Sequence, residues 1–529
     1  MMSLKAVSGT EAMVVSPHHL ATAAGAGMLM KGGNAFDAAV AVSACLAVVY
    51  PHMAGLGGDA FWMTYHRGDG AVRVYNASGR AGRLAARERF AGEAVLPARG
   101  PKSALVVPGM VDGWEAVLRE YGTMPLAEVL EPAVRYAVDG MPVAPHLHGA
   151  LSERALMLSM HSGTARVYLP GGKIPQTGTR LFQRQLGESL RKLAAGGRDV
   201  FYKGELGRAI TEDLQAQGGL LTMEDFAAHS GDWTLPVTGA YRGYEICQAP
   251  PNSQGFAGIL ALHILGHTDI SAVPHGSYEY YHLLVEALKT GLQDRDRYLA
   301  DPAFHPVPLD RLLSKDYACS RFADISLSRA AADRKAAAMG EDAAFAAVMD
   351  KDGNAVSFMQ SLFHEFGSLV TAGDTGILLQ NRGSHFSLDP RHPNVLEPGK
   401  RCFHTLMPAM ALREGKPAIL YGGQGGDGQP QTQTAMLTRM LDYGMDPQEA
   451  INEPRWLWGR TWGEQATELK LEKRLPGEVM DKLKQAGHQV KTVKPFDRLM
   501  GHVHAIRVNE NGCLEGGTDP RGDGSVIGW

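Results

Sequence analysis

The chain has 529 residues, 44% of them hydrophobic and 20% charged, with a formal net charge of −4. That is enough chain for a large buried core, and length alone suggests three or four domains. The balanced charge, without a basic run, argues against a nucleic-acid partner, and five scattered cysteines with no CxxC pair argue against a zinc ribbon or a disulfide framework.

The first residues, Met1 to Glu11, carry no apolar targeting segment, and the longest apolar run, Ala38 to Tyr50, is too short to cross a bilayer. A soluble, cytoplasmic protein with no membrane partner is expected. His18 to Met30 predicts a helix stopped by Gly32-Gly33. Asn34 then caps a second helix over Ala35 to Val49, with Asp37 near the positive end of its dipole. That second helix is apolar on most faces and should be buried.

Further on, Met110, Trp114, Val117 and Tyr121 share one helical face, as do Leu126, Val129, Leu130, Ala133 and Ala137. The stretch 326–342 is rich in Ala and charge and offers little to bury, so it reads as a surface helix or linker. Directly after it, Ala343 to Met349 is an apolar run of strand length. Asp350 to Asn354 is a turn signal containing Asp-Gly, and a return strand runs from Ala355 to Leu362. Pro476 to Ala486 predicts a helix closed by Gly487, followed by a strand over 489–493. The class is mixed α and β, with no internal repeat.

Residues 348–358 (VMDKDGNAVSF), followed by Gly376 to Asn381, resemble the small-subunit start of γ-glutamyltranspeptidases. The resemblance spans nearly the whole chain. It takes in Lys31 to Ala39, Gly55 to Phe61, Val107 to Trp114, Glu224 to Phe226, Pro250 to Gly255, Asp296-Arg297 before Asp301-Pro302, Gly425-Gly426, and Asp519 to Arg521. Each piece is weak alone, and their shared order carries the inference.

The resemblance implies an α+β fold, a four-layer αββα sandwich of the N-terminal-nucleophile hydrolase type. Such a chain is made as an inactive precursor that cleaves itself before a threonine. Here that divides a large-subunit portion, 1–342, from a small-subunit portion, 343–529, both expected to share one core. The new N-terminal hydroxyl attacks an amide carbonyl, and its own α-amino group, with a pKa of about 7.7–8.0, serves as the base. The resemblance gives the amides of Gly425 and Gly426 to an oxyanion hole, and chemistry at an amide needs such donors. By themselves, residues 422–428 could equally be a plain turn. A phosphate loop lacks its Gly-Lys-Ser/Thr ending.

The chain departs from the family where it matters most. Cleavage should fall between Asp342 and Ala343, and alanine has no nucleophilic atom. No Ser, Thr or Cys lies between Ser328 and Ser357 to replace it. As written, the chain is expected neither to cleave itself nor to form a covalent intermediate. A substitution that holds the precursor uncleaved is the first explanation, and a natural pseudoenzyme is the alternative. Ser361 matches a family threonine close to the nucleophile.

The family's aspartate for a glutamyl α-amino group falls on His385, its di-serine on the region of Phe403-His404-Thr405, its return-strand asparagine on Phe363, and its carboxylate-binding arginine on Ser78. The ammonium pocket is therefore missing. Arg80, Arg382, His404 and Thr405 are candidates for binding a carboxylate, for which a planar guanidinium fork is suited. For either arginine taken singly a structural ion pair is as good a reading, and His385 and His404 read more readily as hydrogen-bonded interior histidines.

A small amide bearing one carboxylate and no amine fits these changes. Within the superfamily the chain most resembles oxamate amidohydrolases, which implies hydrolysis of oxamate to oxalate and ammonia in purine or allantoin nitrogen recovery. The alternatives kept open are a γ-glutamyl hydrolase or transferase with a rebuilt pocket, an acylase, and a non-catalytic protein. No cofactor is required. His18-His19 and His502-Val503-His504 are the nearest approaches to metal-ligand spacing, and both read as structural. A homodimer of cleaved heterodimers is the assembly left open.

Overall fold

The computed structural model describes residues 4–332, 342–459 and 467–529. Residues 333–341, most of the linker expected over 326–342, lie outside the described residues.

In chain order the strands of the two main sheets are β1 (Val7–Gly9), β2 (Met13–Ser16), β3 (Asp59–His66), β4 (Ala71–Asn76), β5 (Asp232–Thr234), β6 (Val237–Tyr241) and β7 (Tyr244–Gln248), then β8 (Asp342–Met349), β9 (Ala355–Phe363), β10 (Ala409–Arg413), β11 (Lys416–Gly423), β12 (Val503–Val508), β13 (Leu514–Thr518) and β14 (Ser525–Gly528). They form two seven-stranded sheets, ordered β14-β2-β8-β9-β3-β4-β5 and β1-β13-β12-β11-β10-β7-β6. Each sheet takes strands from both sides of residue 343. The three or four domains suggested by length are thus not formed.

The helices that matter below are α1 (His19–Met30), α2 (Ala35–Val49), α3 (Met110–Tyr121), α4 (Leu126–Asp139), α5 (Gly255–Leu265), α6 (Tyr278–Tyr298), α7 (Gly428–Asp442) and α8 (Gly477–Gln485). The first four pack with the outer face of the β8-containing sheet, and the last four with the outer face of the other. The result is the α-β-β-α layering expected from the resemblance. No helix among the described residues is long and apolar enough to cross a membrane.

The layering explains the unusual sequence of β8. Ala343, Phe345, Ala347 and Met349 enter the core between the sheets, with Met359, Met410 and Leu420. Ala344, Ala346 and Val348 face the helical layer instead. A strand covered on both faces has no polar side, so alternation disappears and small alanines allow close approach. At Gly422 of β11 a Cβ would come within 2.5 Å of the Phe345 ring, so glycine is what lets the sheets close there. Burying Phe345 contributes about 1.5–3 kcal/mol.

The predicted ends of α1 and α2 are found with their caps. The Nδ1 of His18 accepts the Leu20 N–H at 3.2 Å. Asn34 and Asp37 form a reciprocal capping box at the start of α2. The turn after β8 is tied to the same helix: Asp350 accepts the Ala35 N–H at 2.9 Å through Oδ2 and the Asp352 and Asn354 N–H groups through Oδ1. The strand expected at 489–493 is Val490–Val493, parallel to Leu469–Glu472 in a small separate sheet.

Candidate active site

Position 343 lies inside the molecule, with Ala343 fully buried. It coincides with an irregularity in the β8–β9 ladder: Asp342 pairs with Phe363, but Ala344 pairs with Gln360, so the β9 segment around Ser361 and Leu362 faces this bulge. Bulges interrupt regular pairing and re-aim side chains, so the ladder is locally open at position 343. One strand further, Ser361 pairs with Asp59 of β3. The Oγ of Ser361 accepts the Phe363 N–H at 2.7 Å, which helps fix the strand end where Phe363 adopts φ 83°.

The glycine loop follows β11 on the facing sheet. Gly425 (φ 135°) and Gly426 (φ 52°) both take backbone conformations that an L side chain resists. Among the described residues neither of their amide N–H groups meets an acceptor, whereas their carbonyls are engaged. The Gly425 carbonyl accepts from Gly428 N–H at 2.7 Å, and the Gly426 carbonyl from Gln254 Nε2 at 3.0 Å. The loop opens onto the N-terminus of α7, where free amides and the helix dipole favour negative charge.

Behind the loop, Arg295 is fully buried and donates to Gln254 Oε1 and Asp427 Oδ1, each at 2.8 Å, and to Asp296. Gln254 also donates to the Thr405 carbonyl at 2.7 Å. Arg295, Gln254 and Asp427 thus brace the loop from three distant stretches of chain. Sequence reasoning missed them as a unit, because the contacts between them leave no local pattern. Gln254 and Asp427 fall within stretches already singled out, Pro250 to Gly255 and 422–428, but Arg295, which joins them, does not.

Asp59, within the Gly55 to Phe61 stretch, is a second group to which the sequence reading gave no role. Its Oδ1 accepts from the Gly79 N–H, the Gly109 N–H and Gln380 Nε2 at 3.1, 3.2 and 3.0 Å, and its Oδ2 faces His404 Nε2 at 3.2 Å. Burial opposes its charge, but the His404 and Gln380 hydrogen bonds and nearby Arg382 hold the carboxyl below its ordinary value. Burial, with the Arg382 charge, pulls His404 down to about 4 against the attraction of Asp59. His404 is therefore a neutral imidazole that donates to Asp59 and accepts the Leu406 N–H at 3.4 Å.

Of the two candidate arginines, the structure separates one from the other. Arg80 is half-exposed and commits its guanidinium to the Ser230 carbonyl at 2.9 Å and to Asp232 at 3.1 Å. Ser78 is hydrogen-bonded within a buried cluster with Asn76 and Asn252. Arg80 therefore takes the structural ion-pair reading. Arg382 is buried and lies over the Phe363 ring at 4.0 Å from its centroid. Its nearest polar partner is the Thr405 Oγ1, at a long 3.4 Å from both terminal nitrogens, and its Nε has no partner.

Among the described residues no carboxylate forms an ion pair with Arg382, and burial pulls its pKa down to about 10. The charge of Asp59 reaches Arg382 without forming an ion pair with it. A desolvated cation that lacks a contacting anion is costly, and an anion bound against it recovers that cost. His385 is half-buried, with its ring 5.5 Å from Phe363 and 5.4 Å from Phe403. Arg382, Phe363, His385, Thr405 and His404 thus form one neighbourhood. Phe363 is the ladder partner of Asp342, which puts this neighbourhood beside the start of β8.

The histidines nearest to metal-ligand spacing in the sequence, read there as structural, make ordinary hydrogen bonds in the fold. His502 and His504 each hydrogen-bond a hydroxyl, of Tyr50 and Thr518, through Nδ1. The fold instead gathers His282, Glu286 and His488, which sequence separation concealed.

Comparison with known proteins agrees with this architecture. A family model for gamma-glutamyltranspeptidase matches residues 21–529. The glutathione hydrolase-like YwrD proenzyme of Bacillus subtilis is 56% identical over 524 residues, covering 99% of both chains. The oxamate amidohydrolase proenzyme of Klebsiella pneumoniae is 41% identical, covering 98% of this chain and 99% of its own. Cephalosporin acylase from Bacillus halodurans superposes with a TM-score of 0.92 at 33% identity, covering 100% of this chain and 98% of its own. Relatedness alone therefore does not single out oxamate, since the YwrD protein matches more closely.

Proposed function

The chain belongs to the γ-glutamyltranspeptidase family of self-processing amide hydrolases, and from that premise we propose that its site hydrolyses a small amide carrying one carboxylate, with oxamate as the substrate and oxalate and ammonia as products. Residue 343 is the nucleophile position. The subunit boundary falls between 342 and 343, leaving 1–342 and 343–529 as the two portions of one αββα body. With alanine at 343 the chain carries no attacking hydroxyl and remains an uncleaved precursor.

In the threonine form, cleavage before residue 343 frees an α-amino group next to the hydroxyl. The amine takes the hydroxyl proton as oxygen attacks the amide carbon, and negative charge grows on the carbonyl oxygen. The amides of Gly425 and Gly426 receive that charge. Nitrogen leaves with the returned proton as ammonia, and water then hydrolyses the ester.

The observation that carries the substrate class is Arg382: buried, stacked on Phe363, without an ion-paired carboxylate among the described residues, and beside the strand that starts at 342. Its guanidinium would hold the substrate carboxylate, with the Thr405 hydroxyl alongside. His404, locked to Asp59 as a neutral ring, would shape the wall, and His385 would close it. A γ-glutamyl amide is the second reading, favoured by the 56% identity to a glutathione hydrolase-like protein.

The test is to replace Ala343→Thr. The expected result is two fragments, the smaller beginning at residue 343 by mass spectrometry, and release of ammonia from oxamate. A chain that stays whole removes the nucleophile assignment. Cleavage followed by turnover of a γ-glutamyl anilide, with none of oxamate, replaces the first substrate class with the second.

A further inference from the structure

Outside the amide-hydrolysing site, α6 presents His282 and Glu286 one helical turn apart, on the same face. His488, from the turn between α8 and Val490–Val493, reaches that face from 206 residues away in sequence. All three are buried, at 0%, 3% and 4% exposure. Among the described residues they are the one group of three or more His, Cys, Asp or Glu whose ligand atoms all lie within 4.8 Å of one another.

The hydrogen bonds around this group leave lone pairs converging. The Nε2 of His282 is 2.7 Å from the Ser326 carbonyl, to which it donates, so its Nδ1 is an acceptor. That Nδ1 lies 2.9 Å from the Nε2 of His488. Glu286 accepts the Ala331 N–H through Oε2 at 2.8 Å, while its Oε1 has no hydrogen bond and faces Lys289 Nζ at 3.1 Å. A carbonyl that fixes the tautomer of a ligating histidine is the usual outer support of a metal site. Two nitrogens bound at about 2.0–2.1 Å in a tetrahedron sit about 3.3 Å apart, so a few tenths of an ångström of opening admits an ion.

We propose that His282 Nδ1, His488 Nε2 and Glu286 Oε1 form a binding site for a divalent ion of the zinc class. Two imidazoles and one carboxylate are a borderline N₂O set, which suits zinc better than magnesium or calcium. On binding, the proton that His488 shares with His282 moves to the His488 Nδ1, which has no hydrogen-bond partner. Lys289 gives up Oε1 and keeps its contact with the Ala331 carbonyl, 3.4 Å away.

The ion would tie α6 to the segment before Val490–Val493. Through Ser326 and Ala331 it would also pin the stretch that leads into 333–341. A further backbone bond, from the Ala330 N–H to the Ala486 carbonyl at 2.8 Å, anchors the same stretch. The site therefore borders the last described residues before 333–341, and is independent of the substrate reading.

The experiment uses the full chain, stripped with a chelator and titrated with zinc chloride by calorimetry. A single tight equivalent with a rise in Tm is expected, and the affinity should fall at least about ten-fold in both Glu286→Gln and His488→Gln. Zinc-edge X-ray absorption of the unsubstituted chain should give nitrogen and oxygen neighbours with two imidazole signatures, whatever the stability of the variants. Absence of a stoichiometric equivalent, sulfur coordination from Cys319 or Cys513, or unchanged affinity in folded variants would each overturn the site.

Discussion

Arg382 poses the sharpest question at the scale of single residues, because a buried guanidinium with an unpartnered Nε is an expense the fold does not need. Replacing a buried charge that lacks a contacting counter-ion with an apolar side chain of similar volume removes its desolvation cost. Arg382→Met, introduced alongside Ala343→Thr, is therefore expected to keep or raise Tm. It should lower kcat/KM toward a carboxylate-bearing amide by roughly thirty- to a hundred-fold, or about 2–3 kcal/mol for lost charge-assisted hydrogen bonds. A fall in Tm with unchanged kcat/KM would make Arg382 structural. Gly425 invites the complementary test. Its φ of 135° is closed to alanine, while a Cβ there meets nothing nearer than 3.7 Å. Gly425→Ala, again alongside Ala343→Thr, should thus reorient the loop without crowding its neighbours, lowering kcat about 10²- to 10³-fold while KM changes little.

The β8–β9 hairpin is the element that carries the proposed nucleophile position, and Asp350 is its fastening. One carboxylate closes the turn through the Asp352 and Asn354 amides and caps α2 through Ala35. Its loss strands several donors at once, one at a helix N-terminus. Asp350→Ala is expected to destabilise the protein by about 2–3 kcal/mol, read as a lower urea midpoint at constant m. Combined with Ala343→Thr it should also slow self-cleavage, since position 343 lies at the far end of the same strand. A midpoint unchanged from the parent would show that other contacts hold the hairpin.

Two properties belong to the molecule as a whole. Because each sheet interleaves strands from both sides of 343, the two fragments of the cleaved Ala343→Thr protein should co-elute on gel filtration and separate only in denaturant. Fragments that part in native buffer would contradict the shared core. The second property is acid lability. Burial pulls His18 and His364 to about 3 and His404 and His502 to about 4, below the ordinary 6.5. In that window the unfolded chain binds more protons than the native one, so stability is complete above about pH 6.5 and is lost as pH falls toward 4. Each buried histidine contributes about 1.4 kcal/mol per pH unit in that range. Urea unfolding between pH 7 and 4.5 should give a steep decline, made shallower by His404→Gln, and a flat profile would refute the neutral-histidine description.

What the sequence determined by itself was whatever leaves a local mark. Asn34 and Asp37 announce a cap three residues apart, Asp350 to Asn354 announces a turn, and the apolar run from Ala343 announces a strand with no polar face. The order of short stretches along the chain determined the family, and with it the layered fold. Only the tertiary structure decided which polar residues meet. Arg80 and Arg382 read alike in sequence, yet one pairs with Asp232 and the other forms no ion pair among the described residues. Asp59 with His404, Arg295 with Asp427, and His282 with His488 are joined across hundreds of residues. Periodicity and capping act within a few turns of chain, whereas a buried charge is specified by whichever strands and helices close over it. That packing is a property of the whole chain at once.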